Sequence, residues 1–353
     1  MQQIYLKMKK IIFLFSPETA HTIVEFLLKI LPHIKPINNW FVKQNYRKDE
    51  ILTQNIFNKT IKNPIGLAAG FDKNGDMINS MKALGFSFTE VGTITKKAQS
   101  GNPKPRVFRH IASASLQNGM GFNNKGSNYL YEKLDLQYPN ELTIGVSLGK
   151  NKTTKEEHTI EEYLYLIEKF HKKCDYLAIN ISSPNTPALR DLQNENFIRE
   201  LFVKAKKITN TPILLKLSAD LDETTALSLC EVAITNGASG IIATNTSIDY
   251  SLLSSSYDFG GLSGEVIKEK SHKLFKAIGK KFYNKTTLIA VGGISTAQDA
   301  YDRIKAGASL VQLFTSLIYK GPTVPKDIND GLIKLLKDDN YTNISQAVGA
   351  DFK

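Results

Sequence analysis

The sequence predicts an α/β protein: a (β/α)8 barrel with an N-terminal amphipathic helical extension. Three observations carry this. From residue 60 onward a short apolar β-type run, a polar loop rich in Gly, Asn, Ser and Thr, and a helical segment recur in that order. Such alternation builds right-handed βαβ units on a parallel sheet. Eight runs can be counted, the number a closed barrel needs. The first 50 residues follow another pattern, so the expected division is a helical segment over 1–50 and a barrel over 51–353.

In the leader, Ser16-Pro17-Glu18 reads as a helix start, with a hydroxyl N-cap, a proline in the first turn and a carboxylate beside it, and Pro32 as the stop. Ala20, Ile23, Val24, Phe26, Leu27, Leu28, Ile30 and Leu31 sweep an arc of roughly 200°, too wide for one contact. Either the helix is wedged between two parts of the protein, or one face meets protein and another meets lipid. Residues 1–50 hold eight basic and four acidic residues, a net +4 that suits an anionic surface. The run Ile11–Phe15 is far shorter than the ~20 apolar residues of a spanning helix, and no small-residue cleavage site follows it.

The strand candidates are Ile65–Ala69, Phe86–Val91, Leu142–Leu148, Tyr176–Ile181, Ile213–Leu217, Gly240–Ala243, Leu288–Val291 and Leu310–Phe314. A doubly wound sheet is disfavoured because no Gly-x-Gly-x-x-Gly follows the first run. Gly145–Lys150 likewise has the wrong spacing for a phosphate-binding P-loop. The net charge of +11 invites a nucleic-acid reading, but only six of the 45 basic residues are arginines and the lysines are scattered, so no nucleic-acid partner is expected. Two cysteines, Cys174 and Cys230, make neither a disulfide framework nor a Cys-x-x-Cys metal site, and the six histidines lack ligand spacing, so no metal is expected.

Barrel active sites sit at the carboxyl ends of the strands. Here those loops are polar: Ala69-Gly70-Phe71-Asp72-Lys73, Gly92–Thr95, Ser147–Asn151, Asn180–Thr186, Thr244-Asn245-Thr246, Gly292–Ser295 and Phe314-Thr315. Gly292-Gly293 before a helix, with the end of the eighth strand, matches a common barrel phosphate site. Lys73 and Lys216 lie among apolar neighbours, where an ammonium needs an anionic partner, either a ligand or a structural carboxylate.

The segments Asn180–Pro187 (NISSPNTP), Asn118–Asn124 (NGMGFNN), Ala68–Lys73 (AAGFDK), Thr244–Thr246 (TNT), Gly260–Gly264 (GGLSG) and Val291–Ile294 (VGGI) together resemble the dihydroorotate dehydrogenase family, more narrowly its membrane-associated, quinone-dependent class 2. The resemblance implies oxidation of dihydroorotate to orotate on one FMN per chain, with quinone as co-substrate. Ser183 is then the catalytic base taking the C5 proton while hydride leaves C6. Lys73, Asn118, Gly119, Met120, Gly121, Phe122, Asn180, Asn185, Asn245 and Thr246 bind the substrate. Ala69, Gly70, Phe71, Asp72, Lys73, Thr93, Ser147, Asn180, Lys216, Thr244, Gly264, Gly293, Phe314 and Thr315 seat FMN, with Lys216 stabilising charge near flavin N1.

Three positions depart from the family pattern. Ser147 stands where asparagine is frequent, Phe314 where the family has tyrosine, and Gly119 where arginine is common. The resemblance also turns the leader into a helical pair at the mouth of a quinone tunnel. His21 and Arg109 would then lie near the quinone head group, although His21 also reads as an ordinary helix-surface histidine. A peripheral place on the cytoplasmic face of the inner membrane follows, with anionic lipid contact and no obligate protein partner. A soluble class 1 relative is disfavoured by Ser183, where that class has cysteine. Since every residue assigned to pyrimidine or FMN lies beyond residue 60, loss of residues 1–50 is expected to spare flavin reduction.

Overall fold

In the computed structural model, which describes residues 2–353, eight parallel strands close into one barrel in chain order. They are β1 (Ile65–Leu67), β2 (Phe88–Ile94), β3 (Thr143–Leu148), β4 (Tyr176–Asn180), β5 (Ile213–Leu217), β6 (Gly240–Ala243), β7 (Thr287–Val291) and β8 (Leu310–Leu313). All eight sequence candidates are strands, with ends that move by up to three residues. Met1 lies outside the described residues.

Side chains alternate across each strand, and the two faces have different composition. Outward residues such as Ile144, Val146, Leu177, Ile179, Leu215 and Val311 join the large core under the surrounding helices. Inward residues Phe88, Tyr176, Ala178, Leu214, Ile242, Ile289 and Leu310 form a separate apolar plug. The amino-terminal end is stoppered by a hairpin, Gln54–Ile56 with Lys59–Ile61, whose Ile56 and Ile61 join that plug. Large rings need small neighbours: a Cβ on Gly66 would lie 2.3 Å from the Phe88 ring, and one on Gly145 would lie 2.1 Å from the Tyr176 ring. Further along the axis, the inward positions become Glu90, Lys216 and Gln312, all buried.

A second sheet was not foreseen from sequence. Val107–His110, Ser115–Asn118 and Gly261–Gly264 pair antiparallel, with Gly261 opposite Asn118. It walls one side of the cavity at the carboxyl end.

The extension has three helices rather than the pair the resemblance implied: α1 (Gln2–Ile12), α2 (Pro17–Ile30) and α3 (Lys35–Asn45). Ser16 caps α2, its hydroxyl accepting the Thr19 amide. α3 follows a 3-10 turn and carries Pro36 in its first turn, where the missing N–H costs nothing. On α2, Ala20 and Leu28 are buried whereas Phe26 is 62% and Leu27 58% exposed, so one face packs on the barrel and the other is uncovered by protein. That uncovered face continues over Ile11, Leu14, Phe15 and Trp40. Among the described residues no helix is long and apolar enough to cross a membrane.

The pairing of Gly145 with Tyr176 gives a stability prediction. Gly145→Ala is expected to overpack the barrel plug and lower unfolding free energy by about 1–3 kcal/mol. Urea denaturation of the variant beside wild type measures this, and an unshifted midpoint contradicts the packing account.

Candidate active site

A cavity of about 1420 Å³ opens at the carboxyl ends of the strands and runs outward beneath α1, α2 and α3. Ordinary small-molecule pockets are about 300–1,000 Å³, so this one has room for more than a single ligand. Its lining divides into three regions.

On the barrel axis lie Thr93, Asn180, Lys216, Thr244 and Gln312, continuing to Gly264, Gly293, Thr315 and Ser316. Lys216 Nζ sits 3.5 Å from Glu90 Oε1, and the Glu90 side chain has no exposure at all. Tyr176 OH and Gln312 Nε2 donate to Glu90 Oε2 at 3.2 and 2.8 Å. Burial beside the carboxylate pushes the Tyr176 phenol well above its usual range. Lys216 therefore has a structural carboxylate, and it also faces the cavity. Nearer the rim, Asn180 Nδ2 donates to Thr93 Oγ1 at 2.8 Å, and Thr93 Oγ1 shares a 2.9 Å hydrogen bond with Ser147 Oγ. Thr244 Oγ1, Thr246 Oγ1 and Ser316 Oγ line the cavity yet are buried without a partner. Buried polar groups are ordinarily satisfied, so three orphans lining one cavity call for a polar ligand. Gly293, at a φ of 72°, presses its backbone against Lys268, whose Cα a Cβ would approach to 2.4 Å. Only glycine fits there, and its bare backbone faces the cavity.

Beside the axis are Lys73, Asn118, Met120, Gly121, Phe122, Ser183, Asn185, Asn245 and Thr246. Ser183 Oγ accepts the Asn185 amide at 3.2 Å, Asn185 Nδ2 reaches Asn118 Oδ1 at 3.4 Å, and Asn245 Nδ2 donates to Asn180 Oδ1 and Ser182 Oγ at 3.2 and 2.9 Å. Burial pushes the Lys73 ammonium below its ordinary range, with the carboxylates of Glu25, Asp72 and Glu18 opposing that shift and Arg106 adding to it.

The third region is apolar: Met8, Ile12, Phe13, Val24, Leu28 and Leu31 with Phe71 and Phe314. His21 lies here, edge-on to Phe71 at 5.0 Å between ring centroids, and Phe71 is edge-on to Phe314 at 5.8 Å. It is not an ordinary surface histidine. Burial, then the Lys73 charge, drive its pKa down to about 3. Arg109 stacks over the Phe13 ring at 4.4 Å and donates to the Phe15 carbonyl at 2.8 Å.

Of the residues predicted from sequence, Ala69, Gly70 and the others above meet in this one cavity, but three do not line it. Asp72 turns its carboxylate into its own loop, accepting the Asp76 and Met77 amides at 2.9 and 2.8 Å, and burial raises its pKa to about 6. Ser147 is spent on Thr93. Gly119 faces the loop before it, donating to the Arg106 carbonyl at 2.7 Å. Other contributors escaped sequence reasoning. Arg190 donates to the Ser182 and Thr246 carbonyls, both at 3.0 Å, and pairs with Asp220 at 2.9 Å, tying the Ser183 loop to the Asn245 loop. Glu90 left one usable signal, a single charged residue inside a strand that is otherwise uncharged.

Fold and site together define a (β/α)8-barrel enzyme with a long polar berth on the axis, an amide-rich and cationic chamber beside it, and an apolar corridor leading outward. The chain belongs to the dihydroorotate dehydrogenase family, in its quinone-dependent branch. The family model described as dihydroorotate dehydrogenase matches residues 51–336. Proteins named dihydroorotate dehydrogenase (quinone) from Sulfurovum sp. (strain NBC37-1) and Sulfurimonas denitrificans are 56% and 52% identical over 349 residues, each match covering 99% of both chains. A crystal structure of DHODH from Eimeria tenella in complex with ferulenol superposes with a TM-score of 0.87 at 32% identity, covering 97% of this chain and 99% of that one.

The environment of His21 has a measurable consequence. A histidine whose folded pKa lies below its ordinary 6.5 stabilises the fold above that pH and gives the contribution up as pH falls toward about 3. His21→Gln is expected to flatten the acid-side loss of stability between pH 6.5 and 4. NMR of the wild-type imidazole should show it neutral at pH 5, and a protonated ring there contradicts the burial argument.

Proposed function

We propose that this chain oxidises (S)-dihydroorotate to orotate, with FMN as hydride acceptor and a membrane quinone as terminal electron acceptor, in de novo pyrimidine (UMP) biosynthesis. The observation that carries the assignment is the meeting of Ser183, Lys73, Lys216 and four asparagines, Asn118, Asn180, Asn185 and Asn245, in one cavity whose outer end is apolar.

The residues fit FMN. Thr93, Asn180, Lys216 and Thr244 would hold the ring system, with the Thr244 hydroxyl finding the partner it lacks. Gly264, Gly293, Thr315 and Ser316 would hold the phosphate. Bound there, FMN supplies a two-electron acceptor for the hydride from C6. Lys216 places a cation beside it, and Glu90 fixes where that cation stands. Four asparagine amides match the donors and acceptors of a pyrimidine ring, and Lys73 receives its carboxylate. Ser183 takes the C5 proton. Its Oγ already accepts the Asn185 amide, a contact that eases negative charge on the oxygen as its own hydroxyl proton passes to water.

Residues 1–50 form the quinone-binding and membrane-associating segment, and 51–353 the catalytic barrel. The exposed apolar face of α1 to α3 and the net +4 of that segment support peripheral attachment to an anionic leaflet, at the cytoplasmic face of the inner membrane. His21 and Arg109 flank the corridor through which the quinone head group would approach. Phe314, with no hydroxyl to offer, leaves recognition at that end to these two and to ring contacts.

Anaerobic mixing with dihydroorotate should bleach the bound flavin, and a quinone should restore its colour faster than fumarate or NAD. Ser183→Ala should keep FMN bound yet slow the bleaching by about 10²–10⁴; near-normal reduction at saturating dihydroorotate removes Ser183 from the role. In flotation assays the protein should rise with anionic vesicles, less so in high salt, and an equal affinity for neutral vesicles would contradict the charge argument.

A further inference from the structure

Every residue assigned to the pyrimidine lies beyond residue 60, yet α2 contacts the segment that precedes several of them through Glu18 and Arg106. We propose that Glu18, on α2, is a positioning residue for dihydroorotate, acting through Arg106 on the Asn118–Phe122 segment. The proposal rests on the assignment of the reaction made above.

The linkage is continuous. Arg106 is nearly fully buried, with a side-chain exposure of 6%, and its Nε and Nη2 both reach Glu18 Oε1 at 3.1 Å. Its Nη1 donates to the Ser100 and Asn102 carbonyls at 2.6 and 2.8 Å, and its own carbonyl receives the Gly119 amide at 2.7 Å. Asn102 then grips the next part of the chamber. Its amide N–H donates to the Met120 carbonyl at 3.1 Å, and its Nδ2 donates to the Gly119 and Asn185 carbonyls at 2.9 and 3.2 Å. There is no slack in this packing: a Cβ on Gly121 would stand 2.8 Å from Asn102 Cγ. A guanidinium buried this deeply needs a carboxylate, and Glu18 is the one bonded to it. Removing that charge frees Arg106 to leave the two carbonyls that fix the loop, and the amide pattern of the chamber loosens with it.

The test uses the full-length, flavin-loaded enzyme with three variants: Glu18→Gln, Arg106→Lys and the double variant. Orotate binding is read from the shift in the flavin absorption spectrum, and the limiting rate of anaerobic reduction by dihydroorotate is read separately. Glu18→Gln is expected to weaken orotate binding roughly fivefold or more while leaving the limiting rate and flavin content near wild type. In the Arg106→Lys background the same change should cost much less, since the partner is already compromised. Lys104→Ala, which removes an exposed cation 3.9 Å from Glu18, controls for surface charge and should leave orotate binding unchanged. Unchanged orotate affinity in Glu18→Gln, or full additivity in the double variant, overturns the positioning role while the assigned reaction stands. A wild-type protein that neither binds orotate nor is reduced by dihydroorotate overturns both.

Discussion

A lysine and a glutamate buried together on the axis of a closed barrel constrain most of what surrounds them. Taking two charges out of water is costly unless each finds the other and the remaining lone pairs are satisfied. Lys216 comes from β5 and Glu90 from β2, strands that are not neighbours, so the 3.5 Å contact exists only once the barrel has closed. Tyr176 and Gln312 complete the shell from β4 and β8. The arrangement requires the plug of Phe88, Leu214 and Ile289 below to exclude water, and it leaves the outer side of Lys216 facing the cavity. The cationic floor of the site is thus a product of barrel closure rather than of any loop.

This explains what could be read in the sequence and what could not. The eight strands were legible because each is a contiguous apolar run between polar loops, and β-branched residues dominate runs such as Ile241-Ile242. The ends were less so: β2 extends to Ile94 through Gly92 and Thr93, which read as loop because a glycine and a polar, cavity-lining threonine interrupt the apolar run. Site residues within one motif, such as Asn180 to Asn185, were legible because a single turn presents them together. Arg106 with Glu18, Arg190 with Asp220 and Glu90 with Lys216 were not, since each pair joins residues distant in sequence whose meeting depends on tertiary packing. The antiparallel sheet failed to show for the same reason, its strand Gly261–Gly264 pairing with a segment more than 140 residues earlier.

The wide apolar arc of α2 left two readings open, and the structure separates a face packed on protein from an exposed one. Ala20 and Leu28 pack on the barrel, and the Leu28 carbonyl accepts the Ser80 hydroxyl. Phe26 and Leu27 on the other side are largely exposed. Amphipathicity alone could not separate these faces, because both are apolar. What distinguishes them is the charged residues at their border: Glu18 reaches Arg106, and Lys29 reaches Asp76 at 3.1 Å. These contacts fix the rotation of the helix about its axis and so decide which apolar residues point inward.

The same border residues solve an electrostatic problem. Lys73 sits where burial disfavours its charge, and carboxylates nearby oppose that effect. Free carboxylates so close would also repel an anionic substrate. Glu25 is instead paired with Lys29 at 2.6 Å and Glu18 with Arg106 at 3.1 Å, so each acid is largely neutralised by a base of its own. Asp72 points its carboxylate at backbone amides rather than at the chamber. Lys73 lines the chamber as a cation, its charge opposed by burial and favoured by these carboxylates. An arriving carboxylate therefore meets a positive site whose supporting negative charge is already engaged elsewhere. Binding then offsets the burial cost of the ammonium as well as satisfying the anion.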